Sequence, residues 1–182
     1  MTIYGQIIGF CWLAFLVVWA ILAMFFGGSG RRYYSPQARG IRILLAVAVL
    51  IAVIYSPRAP FADFGAAAAA AGAALCTVGL AFAIWARVAL GNNWGMPMTL
   101  HEDPELVTTG PYRYVRHPIY TGLSAMLIGT TLVYPLAAFS CVLMIAYSVF
   151  SALREERDME KRFPEAYPGY KKRSKMIVPF LI

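Results

Sequence analysis

Long uncharged apolar runs alternate along this chain with short stretches crowded with basic and aromatic residues. The first run, IIGFCWLAFLVVWAILAMFF at residues 7–26, carries no charged side chain. Wound as a helix it is about 30 Å long, the thickness of a bilayer core. The preceding MTIYGQ has no basic residue, and the run is longer than a secretory apolar core. The pattern therefore predicts a retained span rather than a signal peptide. Further runs at 41–55, 64–86, 118–134 and 136–153 predict four more helices. The second of the spans, about 22 Å of helix, needs flanking residues or a locally thinned bilayer. The last two meet at Tyr134-Pro135 and read as a helical hairpin. The expected fold class is all-α: a polytopic membrane helical bundle with about five transmembrane helices. It forms a single domain over 1–182, divided into N-terminal spans (1–88) and a C-terminal region (89–182).

Glycines repeat at a seven-residue interval, Gly65, Gly72 and Gly79 in the third run and Gly122 and Gly129 in the fourth. Seven residues is nearly two helical turns, so each set makes a smooth stripe where another backbone can approach. These are packing seams. Cys11, Cys76 and Cys141 lie in three different apolar runs, which argues against a disulfide framework or a metal site.

The net charge of +7 acquires meaning once the spans are drawn. With five crossings, every Lys and Arg except Arg58 falls on one face of the membrane. Cytoplasmic loops retain basic residues, so the C-terminus is expected in the cytoplasm and the N-terminus outside. The charge then suits anionic membrane lipids as partners. No basic stripe is interleaved with exposed aromatics in a soluble module, so nothing calls for nucleic acid.

Polar chemistry concentrates in two places. The connection at 87–117 is long for a small membrane domain and dense in aromatic residues and prolines, which marks it as functional. It ends in GPYRYVRHPIYTG at 110–122. Pro118 suits the first turn of a helix, His117 precedes it, and Tyr120 lies about one turn inside. The free N–H groups of this helix start could receive an anionic group. The plainer reading is an interfacial belt of aromatic and arginine anchors.

The second place follows Leu153, with REERDMEKRFPEAYPGYKKRSKMIVPFLI. Its first part predicts a helical extension as far as Phe163, then an interfacial tail docked by Tyr167, Tyr170 and the final IVPFLI. Adjacent carboxylates at a membrane boundary are costly unless solvated or paired. The hairpin brings Arg116, His117 and Tyr120 near Arg154, Glu155 and Glu156, so a polar ligand pocket is expected at that corner.

ELVTTGPYRYVRHPIYTG, the downstream EE, then F..AY..Y and a final VP resemble the isoprenylcysteine carboxyl methyltransferase family of integral membrane enzymes. The resemblance covers roughly residues 89–182. It implies S-adenosylmethionine as cofactor, in a cytosolic pocket lined by Pro104, Glu105, Leu106, Val107, Tyr112, Arg116, His117, Pro118, Ile119, Tyr120 and Glu155. It also implies Arg154, Glu155 and Glu156 as the catalytic set, with no metal. The pattern departs from the family at Pro104-Glu105, at Ser151, where relatives often carry arginine, and at Pro164.

Methyl transfer is an in-line displacement, so the protein's contribution would be alignment and exclusion of water. The implied acceptor is a lipophilic small molecule or lipid-modified substrate, nominally a prenylcysteine-like carboxylate. A phospholipid acceptor, an NADPH-dependent reductase and a non-catalytic ligand-binding scaffold are the alternatives. In a bacterium the protein would lie in the cell membrane, with its active site cytoplasmic.

Overall fold

The computed structural model describes residues 2–25, 64–93 and 105–177. The expected span at 41–55, the cofactor candidate Pro104 and the last five residues lie outside the described residues. The described part is all-helical: α1 (Ile3–Phe25), α2 (Gly65–Leu90), α3 (Pro118–Val133), α4 (Ala138–Arg162) and the short α5 (Ala166–Arg173). Among the described residues, α1, α2 and α4 are long and apolar enough to cross a bilayer, and α3 is a shorter apolar helix of 16 residues. Phe10, Phe139, Val142 and Val78 are exposed on their outer faces, as lipid-facing side chains are.

The expected helices at 7–26, 64–86, 118–134 and 136–153 are all present, with ends set by local chemistry. Helix α1 begins earlier, at Ile3, taking in the uncharged residues ahead of the long run. Helix α2 runs on through Arg87 to Leu90 and stops at Gly91, whose φ of 51° lies in the left-handed region. Helix α4 continues past its apolar part as a charged extension to Arg162. Pro164 disfavours helical backbone at Phe163, and the helix ends there.

Two of the glycine stripes form the central seam. Helices α2 and α3 run antiparallel, with Gly72 against Gly129 and Gly79 against Gly122. A Cβ placed on Gly72 would lie 2.6 Å from the Gly129 carbonyl oxygen, and one on Gly79 2.6 Å from that of Gly122. Only glycine permits this approach. Gly65 has open space around it and lies outside the seam.

Helix α1 lies against the same pair. Ile8, Cys11, Cys76, Leu80 and Met126 form a buried cluster, and the Trp12 indole donates to Thr130 Oγ1 at 3.1 Å. Cys11 meets Thr77 at 3.6 Å, and further along Arg87 donates to the Leu22 carbonyl at 3.1 Å. The two contacts advance in step, so α1 and α2 are parallel. The end of α1 and the start of α2 therefore lie at opposite ends of the bundle. All three cysteines are free and buried.

Candidate functional site at the corner of α3 and α4

The polar corner is assembled at the end of the bundle where α2 finishes, α3 begins and α4 emerges from its apolar stretch. A 3-10 turn at Gly110–Arg113 leads into it, with Gly110 at φ 60° and Pro111 in its first turn. Buried Val115 then pairs as an isolated parallel bridge with Lys175. The Lys175 N–H donates to the Tyr114 carbonyl at 3.0 Å, and the Arg116 and His117 N–H groups donate to the carbonyls of Lys175 and Met176 at 2.7 and 3.0 Å. Thr121 Oγ1 adds a bond to the Ile177 carbonyl. The returning tail thus takes up the N–H groups of Arg116 and His117, just ahead of α3. These two donors are therefore not available to an anionic ligand.

The side chains converge from both helices. The Tyr120 hydroxyl donates to Glu155 Oε1 at 2.6 Å, and His117 Nδ1 lies 3.4 Å from Glu155 Oε2. The rings of His117 and Tyr120 stack at a centroid separation of 5.8 Å. His117 Nε2 is 3.7 Å from Glu156 Oε1, a charge contact too long for a hydrogen bond, and this buried atom has no hydrogen-bond partner. Burial disfavours the imidazolium, but the contact with Glu155 and the negative charges of Glu155 and Glu156 outweigh it and raise the His117 pKa above its ordinary value.

The two adjacent carboxylates have different company. Glu156 is almost fully enclosed: Oε1 accepts from Arg116 Nε at 2.6 Å and Oε2 meets Lys171 Nζ at 2.9 Å. Arg116 also donates to the carbonyls of Lys171, at 3.2 Å, and Ser174. Glu155 is the more accessible, its side chain 19% exposed against 5% for Glu156. Behind them, buried Tyr170 donates to the Tyr112 carbonyl at 2.7 Å, and burial pushes the Tyr112 phenol well above the usual tyrosine range.

Of the residues singled out from sequence, Arg116, His117, Tyr120, Glu155 and Glu156 meet at one corner, with Tyr112 and Pro118 buried beside it. Ile119 is half-buried on the first turn of α3. Leu106 and Val107 are half-buried on the approach, while Glu105 is exposed and its N–H reaches Asn93 Oδ1 at 3.4 Å. Arg154 is elsewhere: it is exposed, with its guanidinium 5.8 Å from the Phe150 ring centroid on the outer face of α4. Arg116 and Glu156 bind each other within the corner. Lys171, Ser174 and the tail carbonyls were not anticipated. In sequence Lys171 is one of several basic residues near the C-terminus, and carbonyl acceptors leave no trace in side-chain patterning.

The corner also suits the cofactor implied by the resemblance. His117 Nε2 is a buried polar atom without a hydrogen-bond partner. The Glu155 carboxylate, engaged by one phenol and one imidazole, retains acceptor capacity for an ammonium or hydroxyl. Among the described residues no group of three or more His, Cys, Asp or Glu is placed to hold a metal ion.

The fold is similar to that of the eukaryotic intramembrane Ras methyltransferase ICMT (isoprenylcysteine carboxyl methyltransferase), with a TM-score of 0.52 and 24% identity over 81% of this chain and 54% of that one. The chain belongs to the phospholipid methyltransferase family, whose model matches residues 67–166. It is 35% identical over 69 residues to the uncharacterized protein YpbQ of Bacillus subtilis, covering 38% of this chain and 39% of the relative. It is 30% identical over 113 residues to the nickel-cobalt-cadmium resistance protein NccN of Alcaligenes xylosoxydans xylosoxydans, covering 60% of this chain and 52% of the relative. These matches therefore span about half of each relative's length or less.

Proposed function

We propose that the chain transfers a methyl group from S-adenosylmethionine to a lipophilic acceptor at the cytoplasmic face of a membrane, with the C-terminal region 89–182 forming the cofactor site. The observation that carries this reading is the meeting of His117, Tyr120 and Glu155 where α4 leaves its apolar stretch. Glu155 would hold the cofactor's ammonium or ribose hydroxyls. His117 would meet its carboxylate, and Tyr112, Tyr120 and the segment Glu105-Leu106-Val107 would enclose the remainder. When bound, the cofactor supplies an electrophilic methyl carbon that the acceptor's lone pair attacks as the carbon–sulfur bond breaks. The chain's own residues align the partners and keep water out; an ionised carboxylate acceptor requires no general base.

Two acceptor classes fit. The prenylcysteine-like carboxylate follows from the sequence resemblance. A phospholipid amine is favoured by the family match and by electrostatics: Arg116 is committed to Glu156 and Arg154 faces outward, so neither is placed to hold an acceptor carboxylate. Calorimetry with S-adenosylhomocysteine and with NADPH tests the cofactor; binding of NADPH alone, or of neither, would overturn the methyltransferase reading. Incubation of labelled S-adenosylmethionine with a lipid extract tests the acceptor. A methyl ester releases its label as methanol in base, and an N-methyl group does not.

A further inference from the structure

We propose that Lys171 on α5 is a positioning residue for this corner: it closes the second oxygen of Glu156, so that Glu156 holds Arg116 and His117 in place and Glu155 is left to meet the ligand. The inference rests on the cofactor reading of the corner and extends it to a residue outside the conspicuous motifs.

The geometry divides the labour between the carboxylates. Glu156 is enclosed on both oxygens, by Arg116 at 2.6 Å and by Lys171 at 2.9 Å, with His117 Nε2 at 3.7 Å. Lys171 is itself set from two directions. Its ammonium also meets Glu160 Oε1 at 2.9 Å, one turn beyond Glu156 on α4, and its backbone carbonyl accepts from Arg116 Nη1 at 3.2 Å. One residue thus touches both members of the Arg116–Glu156 pair, through its side chain on one and its main chain on the other. A buried carboxylate stripped of one cation is free to turn toward the cations that remain. For Glu156 these are Arg116 and His117.

The groups around His117 are Arg116 from its own loop, Tyr120 from α3, Glu155 and Glu156 from α4, and Lys171 from α5 behind Glu156. Tyr167 and Tyr170 are buried on α5, and Glu160 faces Lys171. Removing the Lys171 charge strips a positive neighbour from this set and leaves Glu156 less neutralised, so the imidazolium gains stability. A residue that merely pins α5 would not move the His117 titration.

The test uses the full chain in lipid nanodiscs with nitrogen-labelled histidine; the sequence has only two histidines, and the His117 signal is the one lost in His117→Gln. Lys171→Met is expected to raise the pH midpoint of His117 by about half a unit or more. It is also expected to weaken S-adenosylhomocysteine binding roughly fivefold. Lys171→Arg should restore both, and Lys171→Gln replaces the Met variant if that fails to fold. An unchanged or lowered midpoint in the folded variant, or wild-type affinity for S-adenosylhomocysteine, overturns the role given to Lys171. Failure of the wild-type protein itself to bind S-adenosylhomocysteine overturns the cofactor reading instead, and is told apart by the His117 midpoint, which is read without ligand.

Discussion

The Tyr120 hydroxyl and Glu155 Oε1 lie 2.6 Å apart, joining the first turn of α3 to the point where α4 leaves its apolar stretch. Thirty-five positions separate the two residues in the chain, and the α3–α4 hairpin brings them together. A phenol bonded to a carboxylate is a charge-assisted contact. It holds the more accessible of the two adjacent carboxylates beside His117, whose ring stacks on that of Tyr120.

That bond sets the first prediction. Glu155→Ala should weaken S-adenosylhomocysteine binding about tenfold or more, the size of one lost charged hydrogen bond. Tyr120→Phe should have a smaller effect in the same direction. Calorimetric affinities beside thermal unfolding would check this; unchanged affinity in both variants would remove the corner from consideration.

The glycine seam gives a second prediction with an internal control. Gly79→Ala places a Cβ 2.6 Å from the Gly122 carbonyl oxygen, and neighbouring backbone cannot yield cheaply. The expected loss is about 1–3 kcal/mol, the usual cost of overpacking. Gly9→Ala, with nothing within 4 Å of the new Cβ, should be neutral or stabilising by up to about 1 kcal/mol because alanine favours helix. Thermal unfolding in detergent would rank the two.

The third concerns pH. His117 is raised above its unfolded value because the effects of Glu155 and Glu156 outweigh the burial that opposes its charging. Its stabilising contribution is therefore fully present below the unfolded pKa of about 6.5 and is lost as pH rises through the higher folded value. The wild-type protein should lose stability relative to His117→Gln across that window. Melting curves of both proteins at a series of pH values would show it; parallel profiles would contradict it.

Topology supplies the fourth. Parallel α1 and α2 place Phe25 and Phe64 at opposite ends of the bundle, and five crossings would put the two termini on opposite sides of the membrane. The native cysteines are buried, so single cysteines introduced at Thr2 and Lys172 can be read against a quiet background. In sealed cells an impermeant thiol reagent should label Thr2→Cys and spare Lys172→Cys until the membrane is opened.

Most of the scaffold was legible in the sequence because its signals are local and periodic. Uncharged runs marked the described spans, Pro118 marked the start of α3, and glycines at seven-residue spacing marked the α2–α3 seam, where only close backbone approach needs them. Gly65 shared that spacing but not the packing, since spacing reports a face of a helix and not what lies against it.

The convergence of the RHPIY and EE stretches was also legible, because a tight turn at Tyr134-Pro135 forces their ends together. The division of roles within each stretch was not. Consecutive helical residues point about 100° apart, so Arg154, Glu155 and Glu156 face three different surroundings although they read as one cluster. Their partners are Phe150 on the outer face, Tyr120 on α3 with His117 just ahead of it, and Arg116 in the loop before α3 with Lys171 on α5. The sequence by itself determined where helices form and which ends carry polar chemistry, because hydrophobicity and backbone propensity act over a few residues. Only the tertiary structure decided which carboxylate is locked and which is left accessible, because that depends on a tail whose main-chain carbonyls hold it in register and which no side-chain pattern announces.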